Sequence, residues 1–327
     1  MKPFASACVA STLSWLCACS SSGGMDTTMA VGPKAYVGLF GDNAVAVVDT
    51  GSNRVMKTIP VPTGPHGLVV TPDGSKVYVS SDGATTVSVI STLTDAIVGS
   101  IEVGMTPHGL AMSPDGKQVL LSDFGGDQAE VIDTATDAVV ASVAVPRPHN
   151  SAISADSTRA FVGSQQAGTP SIAVIDLANA TEVGSVALEQ APRALDYAPS
   201  GHVYFTLMGV DALEVLDPAT NRVGAPVATG GSPHHMLATK DGAFELVVSQ
   251  TVGDLEYVDP VGGTVVANVP TGLTPHWIAL SSDGASAYVT NEGSDSLSVV
   301  DIAGRTVAHT IMVGKAPRKV AVQPRQP

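Results

Sequence analysis

Short apolar runs separated by turn residues recur along the whole chain, and they set its plan. In one stretch Leu68 to Thr71 is apolar, and Pro72-Asp73-Gly74 follows as a tight turn. Proline there presets φ, and glycine tolerates a positive one. Val77 to Ser80 is rich in β-formers. Thr86 to Ile90 alternates polar and apolar residues and predicts a half-buried strand. Ile97 to Val103 supplies a fourth strand. No comparable stretch carries the period of an amphipathic helix.

The same unit repeats. Gly67-Leu-Val-Val-Thr-Pro-Asp-Gly74 is matched by Gly109-Leu-Ala-Met-Ser-Pro-Asp-Gly116 and by Trp277-Ile-Ala-Leu-Ser-Ser-Asp-Gly284. A proline precedes each unit, at Pro65, Pro107, Pro148, Pro192, Pro233, Pro275 and Pro317, spaced 41 to 44 residues apart. That period is the length of a four-stranded propeller blade. Innermost strands are expected to begin near residues 67, 109, 150, 194, 235, 277 and 319. Second strands are expected near Ala35, Val77, Val119, Ala160, Val203, Glu245 and Ala287. The chain body therefore opens on a second strand and ends on an innermost one. The reading is an all-β fold: a seven-bladed β-propeller closed by a one-plus-three blade, with residues 319–323 beside residues 35–39. Such closure removes two free sheet edges.

Composition narrows the functional classes. Of 327 residues, 44% are hydrophobic and 14% charged, which excludes a disordered chain. A net charge of −14 with 4% aromatics argues against nucleic-acid binding, by phosphate contacts or by base stacking. The three cysteines are Cys8, Cys17 and Cys19, so the rest of the chain has no disulfide, thiolate metal site or cysteine nucleophile. GxSxG, P-loop and HExxH motifs are absent.

Lys2 followed by a mostly apolar run to Leu16 reads as a secretory signal, too short to span a bilayer. The sequence Leu16-Cys17-Ala18-Cys19, followed by Ser20-Ser21-Ser22-Gly23-Gly24, resembles the bacterial lipoprotein signal. That resemblance implies cleavage before Cys19, acylation of Cys19 and, with Ser20 rather than Asp next, delivery to an outer membrane where the source has one. The expected organisation is a signal over 1–18, a flexible tether over 19–32 and the propeller over 33–327. The expected location is the cell envelope, through a lipid anchor in its membrane. A monomeric propeller is expected.

Tyr288-Val-Thr-Asn291 and Pro107-His-Gly-Leu-Ala-Met-Ser-Pro-Asp-Gly116 resemble the YVTN-type β-propeller repeat, over about residues 33–324. Propellers of this kind include surface-layer proteins, the propeller domain of nitrous oxide reductase, lactonase-like propellers and virginiamycin B lyase. The resemblance thus implies a fold and leaves the reaction open.

The candidate chemistry sits directly after the repeat prolines, at His66, His108, His149, Arg193, His234, His276 and Arg318. Five of the 8 histidines share this one repeat position. The blade geometry implied by the resemblance puts them around one mouth of the central channel. Neutral imidazoles there suit a divalent transition metal, and the guanidiniums suit an anion. A purely structural role, with each imidazole bonded to nearby backbone, is the third possibility. No cofactor follows with certainty from these residues, and a divalent transition metal is the candidate. The nitrous oxide reductase pattern requires a full histidine set, which Arg193 and Arg318 break.

Among the carboxylates, Asp49, Asp133, Asp176, Asp217, Asp259 and Asp301, and likewise Asp73, Asp115, Asp241 and Asp283, recur at turns that account for them. The loops after the second strands carry Asp42, Asp82, Asp123, Asp127, Asp211, Asp254, Glu292 and Asp295, and some of these can reach the same mouth. His235 and Trp277 replace the glycine that usually follows the ring position. The indole is expected to fill a gap between blades, with lining of a ligand pocket as the alternative. The expected function is a binding or scaffold module for an envelope protein or small ligand. The alternative is a metal-assisted lyase or lactonase-like hydrolase at the same mouth.

Overall fold

The computed structural model describes residue 1 and residues 33–325. The proposed signal and tether, Cys19 included, lie outside the described residues. Among those described, seven antiparallel sheets follow one another, each running from an innermost to an outermost strand. The innermost strands of successive blades touch all the way round, the last against the first. The first blade is completed from both ends of the chain, since Pro317–Val322 pairs antiparallel with Lys34–Leu39. Its register sets Val322 opposite Ala35 and Val320 opposite Val37, and Gln323 N–H donates to the Lys34 carbonyl. The closure expected from strand counting is therefore the one formed.

Burial is greatest in the second strands and least in the outermost ones. Second strands are buried along their length, as in Lys34–Leu39, because a neighbouring blade covers each face. Outermost strands such as Arg54–Pro60 are mostly exposed. The third strands differ from expectation. Thr86–Ser91 is buried on both faces rather than half-buried, and Ser88 is enclosed. The polar residues at this repeat position have work inside. Glu130 and Glu256 accept the backbone N–H of Gly104 and Gly230, and Ser298 donates to the Thr271 carbonyl. Polar residues here satisfy inter-blade backbone that would otherwise be buried without partners.

Lateral latches join neighbouring blades. Lys34 and Tyr36 both reach Asp95 of the next blade, with Lys34 Nζ 2.7 Å from its carboxylate. Lys76 and Tyr78 repeat the contact with Asp137. The fifth blade has a broken outer strand, Arg222–Val223 and Val227–Ala228. Pro226 stands in the break and cannot donate to a ladder. The turn aspartates behave as expected: Asp49 accepts Ser52 N–H, Asp73 accepts Ser75 N–H, and Asp259 accepts Gly262 N–H.

Candidate functional site

Each innermost strand begins at its proline, two residues earlier than expected, so the ring residue is the second residue of the strand. Pro65 already pairs with Ser81, and a bulge separates that pair from Leu68 opposite Val79. The bulge region holds His66 and Gly67. Just before the proline, Gly64, Thr106, Arg147, Ser232, Thr274 and Ala316 all have positive φ, so the chain enters these six strands through one recurrent left-handed corner. At Gly67 and Gly109 a side chain is impossible without movement, since a Cβ would lie 2.4 Å and 2.3 Å from the carbonyls of His108 and His149. Glycine there lets adjacent inner strands close in, and the imidazoles before it crowd together.

The five histidines do meet. The His66 and His108 rings stack at 3.7 Å, His108 and His149 are 4.3 Å apart, and His234 and His276 are 4.0 Å apart. His66 also approaches His276 at 5.8 Å and His149 at 6.2 Å, which makes the group a cluster rather than a string of neighbours. Three imidazoles are tied to the next strand. His149, His234 and His276 donate from Nδ1 to the carbonyls of Arg193, His276 and Arg318, at 2.8, 3.0 and 3.1 Å. A carbonyl only accepts, so each Nδ1 carries the proton and each Nε2 keeps its lone pair. His108 donates from Nδ1 to Asp82 at 2.9 Å, with the same consequence. Two ring nitrogens, His66 Nδ1 and His108 Nε2, are buried with no hydrogen-bond partner.

Burial holds these rings neutral. It is the main cause of the depressed basicity of His66, His149 and His276, with neighbouring imidazoles adding to it. Burial and then the Arg193 charge bring His234 down to about 3. The arginines do not join the cluster as equals. Arg318 pairs with Glu292 at 2.9 Å and lies over the Phe40 ring at 3.5 Å. Arg193 turns to the neutral oxygens of Ser232 and Gln250, at 3.0 and 3.2 Å, and has no carboxylate among the described residues.

Of the loop acids, Asp82 and Glu292 reach the mouth, Glu292 also standing 4.0 Å from His276 Nε2. Asp42, Asp127, Asp211 and Asp295 instead accept the backbone N–H groups of Lys315, Arg147, Ser232 and Ala316. Asp123 accepts Gly126 N–H. Phe40 and Phe124, which sequence reasoning passed over, pack edge-on and tilted against His66 and His108. Both follow a second strand directly, a repeat position that could have signalled them. Trp277 serves both settings weighed for it. It packs against the hydrophobic clusters of its neighbouring blades, also lines the channel, and stacks on His235 at 3.5 Å.

One group has the composition of a metal site. His66, Asp82 and His108 each offer a ligand atom, and the three atoms lie within 4.8 Å of one another. A tetrahedral ion bound at about 2.1 Å would hold its ligands roughly 3.4 Å apart, wider than the 2.9 Å between His108 Nδ1 and Asp82.

Comparison with known proteins bears on the fold. Residues 204–327 match the YNCE-like beta-propeller family. No curated protein matches the chain. Among solved structures, Kuenenia stuttgartiensis hydrazine synthase superposes with a TM-score of 0.73 at 24% identity, over 80% of this chain and 90% of that one. A functionally unknown protein from Desulfotomaculum acetoxidans gives 0.77 at 15% identity, over 89% and 99%. A putative 6-phosphogluconolactonase from Bacteroides uniformis gives 0.71 at 17%, over 89% and 99%. Similarity at these identities speaks for the fold alone, and with the blade count and closure it identifies the chain as a seven-bladed β-propeller, whose residues 204–327 carry the YNCE-like match.

Proposed function

We propose that this propeller is an envelope binding module whose channel mouth holds a divalent transition metal on His66, His108 and Asp82. The observation that carries the reading is the pair of buried, unpartnered ring nitrogens on His66 and His108 beside a carboxylate. Asp82 accepts the His108 Nδ1–H at 2.9 Å, and that bond gives way when a carboxylate oxygen and a ring nitrogen of His108 share one ion. The neutral state of the surrounding rings leaves lone pairs free at pH 7. Zinc or copper titrated into chelator-treated, untagged protein should bind at one site. His108→Ala should weaken that binding by about 10-fold or more, in line with loss of a ligand or its support. Unchanged metal affinity in both His66→Ala and His108→Ala would refute the site.

A metal-assisted lyase or lactonase-like reaction is the second reading. The observation on its side is that three protein ligands leave a coordination position open, as catalytic zinc sites do.

The anchoring half of the proposal rests on Leu16-Cys17-Ala18-Cys19 and the Ser/Gly run after it. Acylation of Cys19 with more than one chain would make attachment stable. Cys19→Ala should move the protein from the membrane fraction to the soluble one. Continued lipidation of that variant would show the anchor lies elsewhere.

A further inference from the structure

Beyond the imidazole ring the channel changes chemistry. A cavity of about 450 Å³ runs along the innermost strands, its lining including the half-buried apolar side chains of Val70, Met112, Leu237 and Leu280. Lys319 lines it, although only 3% of this residue is exposed. Its Nζ lies 3.5 Å from the centre of the Trp277 ring. Among the described residues it has no hydrogen bond and no carboxylate partner. Asp196, the one acid of the lining, instead accepts the Ala238 N–H at 3.2 Å. A buried ammonium held only by an indole face is costly to keep unless something else completes it.

We propose that this chamber binds a small monocarboxylate with an apolar body, its carboxylate paired with Lys319 and its body packed on Trp277 and the apolar side chains of the lining. A carboxylate supplies the missing counter-charge to a buried ammonium, and such charge-assisted pairing is strong. These apolar side chains favour a hydrocarbon body, and the volume lies within the range of small-ligand pockets. Burial pushes the Lys319 amine down to about 7. Pairing with an anion favours its charged form, so binding at pH 8 takes up a proton.

The test uses octanoate, with octanol as its uncharged counterpart, measured calorimetrically on the chelator-treated full chain. Octanoate should bind at least 10-fold more tightly than octanol. At pH 8 its heat should differ between two buffers by the signature of proton uptake, and its affinity should fall as the pH rises above that. Lys319→Met should lose the preference for octanoate yet melt several degrees higher, because an unpaired buried charge is gone. A lysine kept for structure alone would melt lower when replaced. His108→Ala should leave octanoate binding unchanged, so failure of the metal reading and of this one can be told apart. No binding of octanoate, or binding without proton uptake and with equal affinity for octanol, would overturn the proposal even if Lys319→Met fails to fold.

Discussion

Deleting residues 317–325 should leave a chain that no longer unfolds as one cooperative unit. The last strand is the inner wall of the first blade, and its loss strips the ladder from Ala35, Tyr36, Val37 and Leu39. It also removes buried Val320 from a cluster that includes Val37 and Leu39 on one side and Tyr288 and Leu297 on the other. The cost should exceed the roughly 5–15 kcal/mol by which folded domains are stable. The unpaired strand edge left behind should promote association. A circular permutant separates loss of the strand from loss of closure. Val322 pairs with Ala35, so joining residue 325 to residue 33 and opening the chain near residue 314 makes the blade from continuous chain. The permutant should melt within a few degrees of the parent, while the deletion should show no comparable transition in thermal unfolding or hydrogen exchange. A deletion variant that melts like the parent would contradict the closed ring.

Acid should destabilise the metal-free protein steeply below pH 6.5. His149, His234, His235 and His276 are all less basic in the fold than in the unfolded chain, chiefly through burial. Their stabilising neutrality is complete above about pH 6.5, the unfolded value. As pH falls below it, the unfolded chain takes up protons that the native one refuses, and stability drops by about 1.4 kcal/mol per pH unit for each such group. For His234 the window extends down to about pH 3. Arg193, Arg318 and Lys319 face these rings and act in the same direction. Buried acids oppose the trend, Asp196 and Glu245 most strongly. Burial pushes Asp196 up to about 6, and burial with the Asp196 charge pushes Glu245 up to about 9. Both are protonated in the fold before they are in the unfolded chain, so each adds stability as pH falls toward 4.5. With His66 depressed in the same way, the buried imidazoles set the direction, a net loss of stability as the pH falls from 6 to 5. Denaturant midpoints measured from pH 7 to pH 5 should fall accordingly. A flat profile would mean that the imidazoles are hydrated and protonate freely in the fold.

Repetition made the architecture legible. A proline every 41 to 44 residues and the Asp-Gly turns carried blade count, strand order and closure, because each repeat encodes the same local geometry. Convergence of His66, His108, His149, His234 and His276 followed from closure in the same way. What escaped was whatever departs from the repeat or depends on side-chain direction. Thr86 to Ile90 reads as half-buried by its alternation, yet both faces are covered, and only the packed blades show that Ser88 is enclosed. Arg193 and Arg318 hold ring positions by count, but their long side chains leave the cluster for Ser232, Gln250 and Glu292. Lys319 was visible only as a residue of the closing strand. Its burial against Trp277 joins residues 42 positions apart, a contact that no local pattern records.

The central claim is that the clustered imidazoles form a metal site at the channel mouth. Crystals of the chelator-treated protein soaked with zinc, with diffraction recorded on both sides of the zinc absorption edge, test it most directly. The account predicts one anomalous peak about 2.0–2.2 Å from a nitrogen of His66, a nitrogen of His108 and an oxygen of Asp82. Peaks only at surface carboxylates such as Asp254 or Asp301, with the five rings unmoved and no density between them, would contradict it.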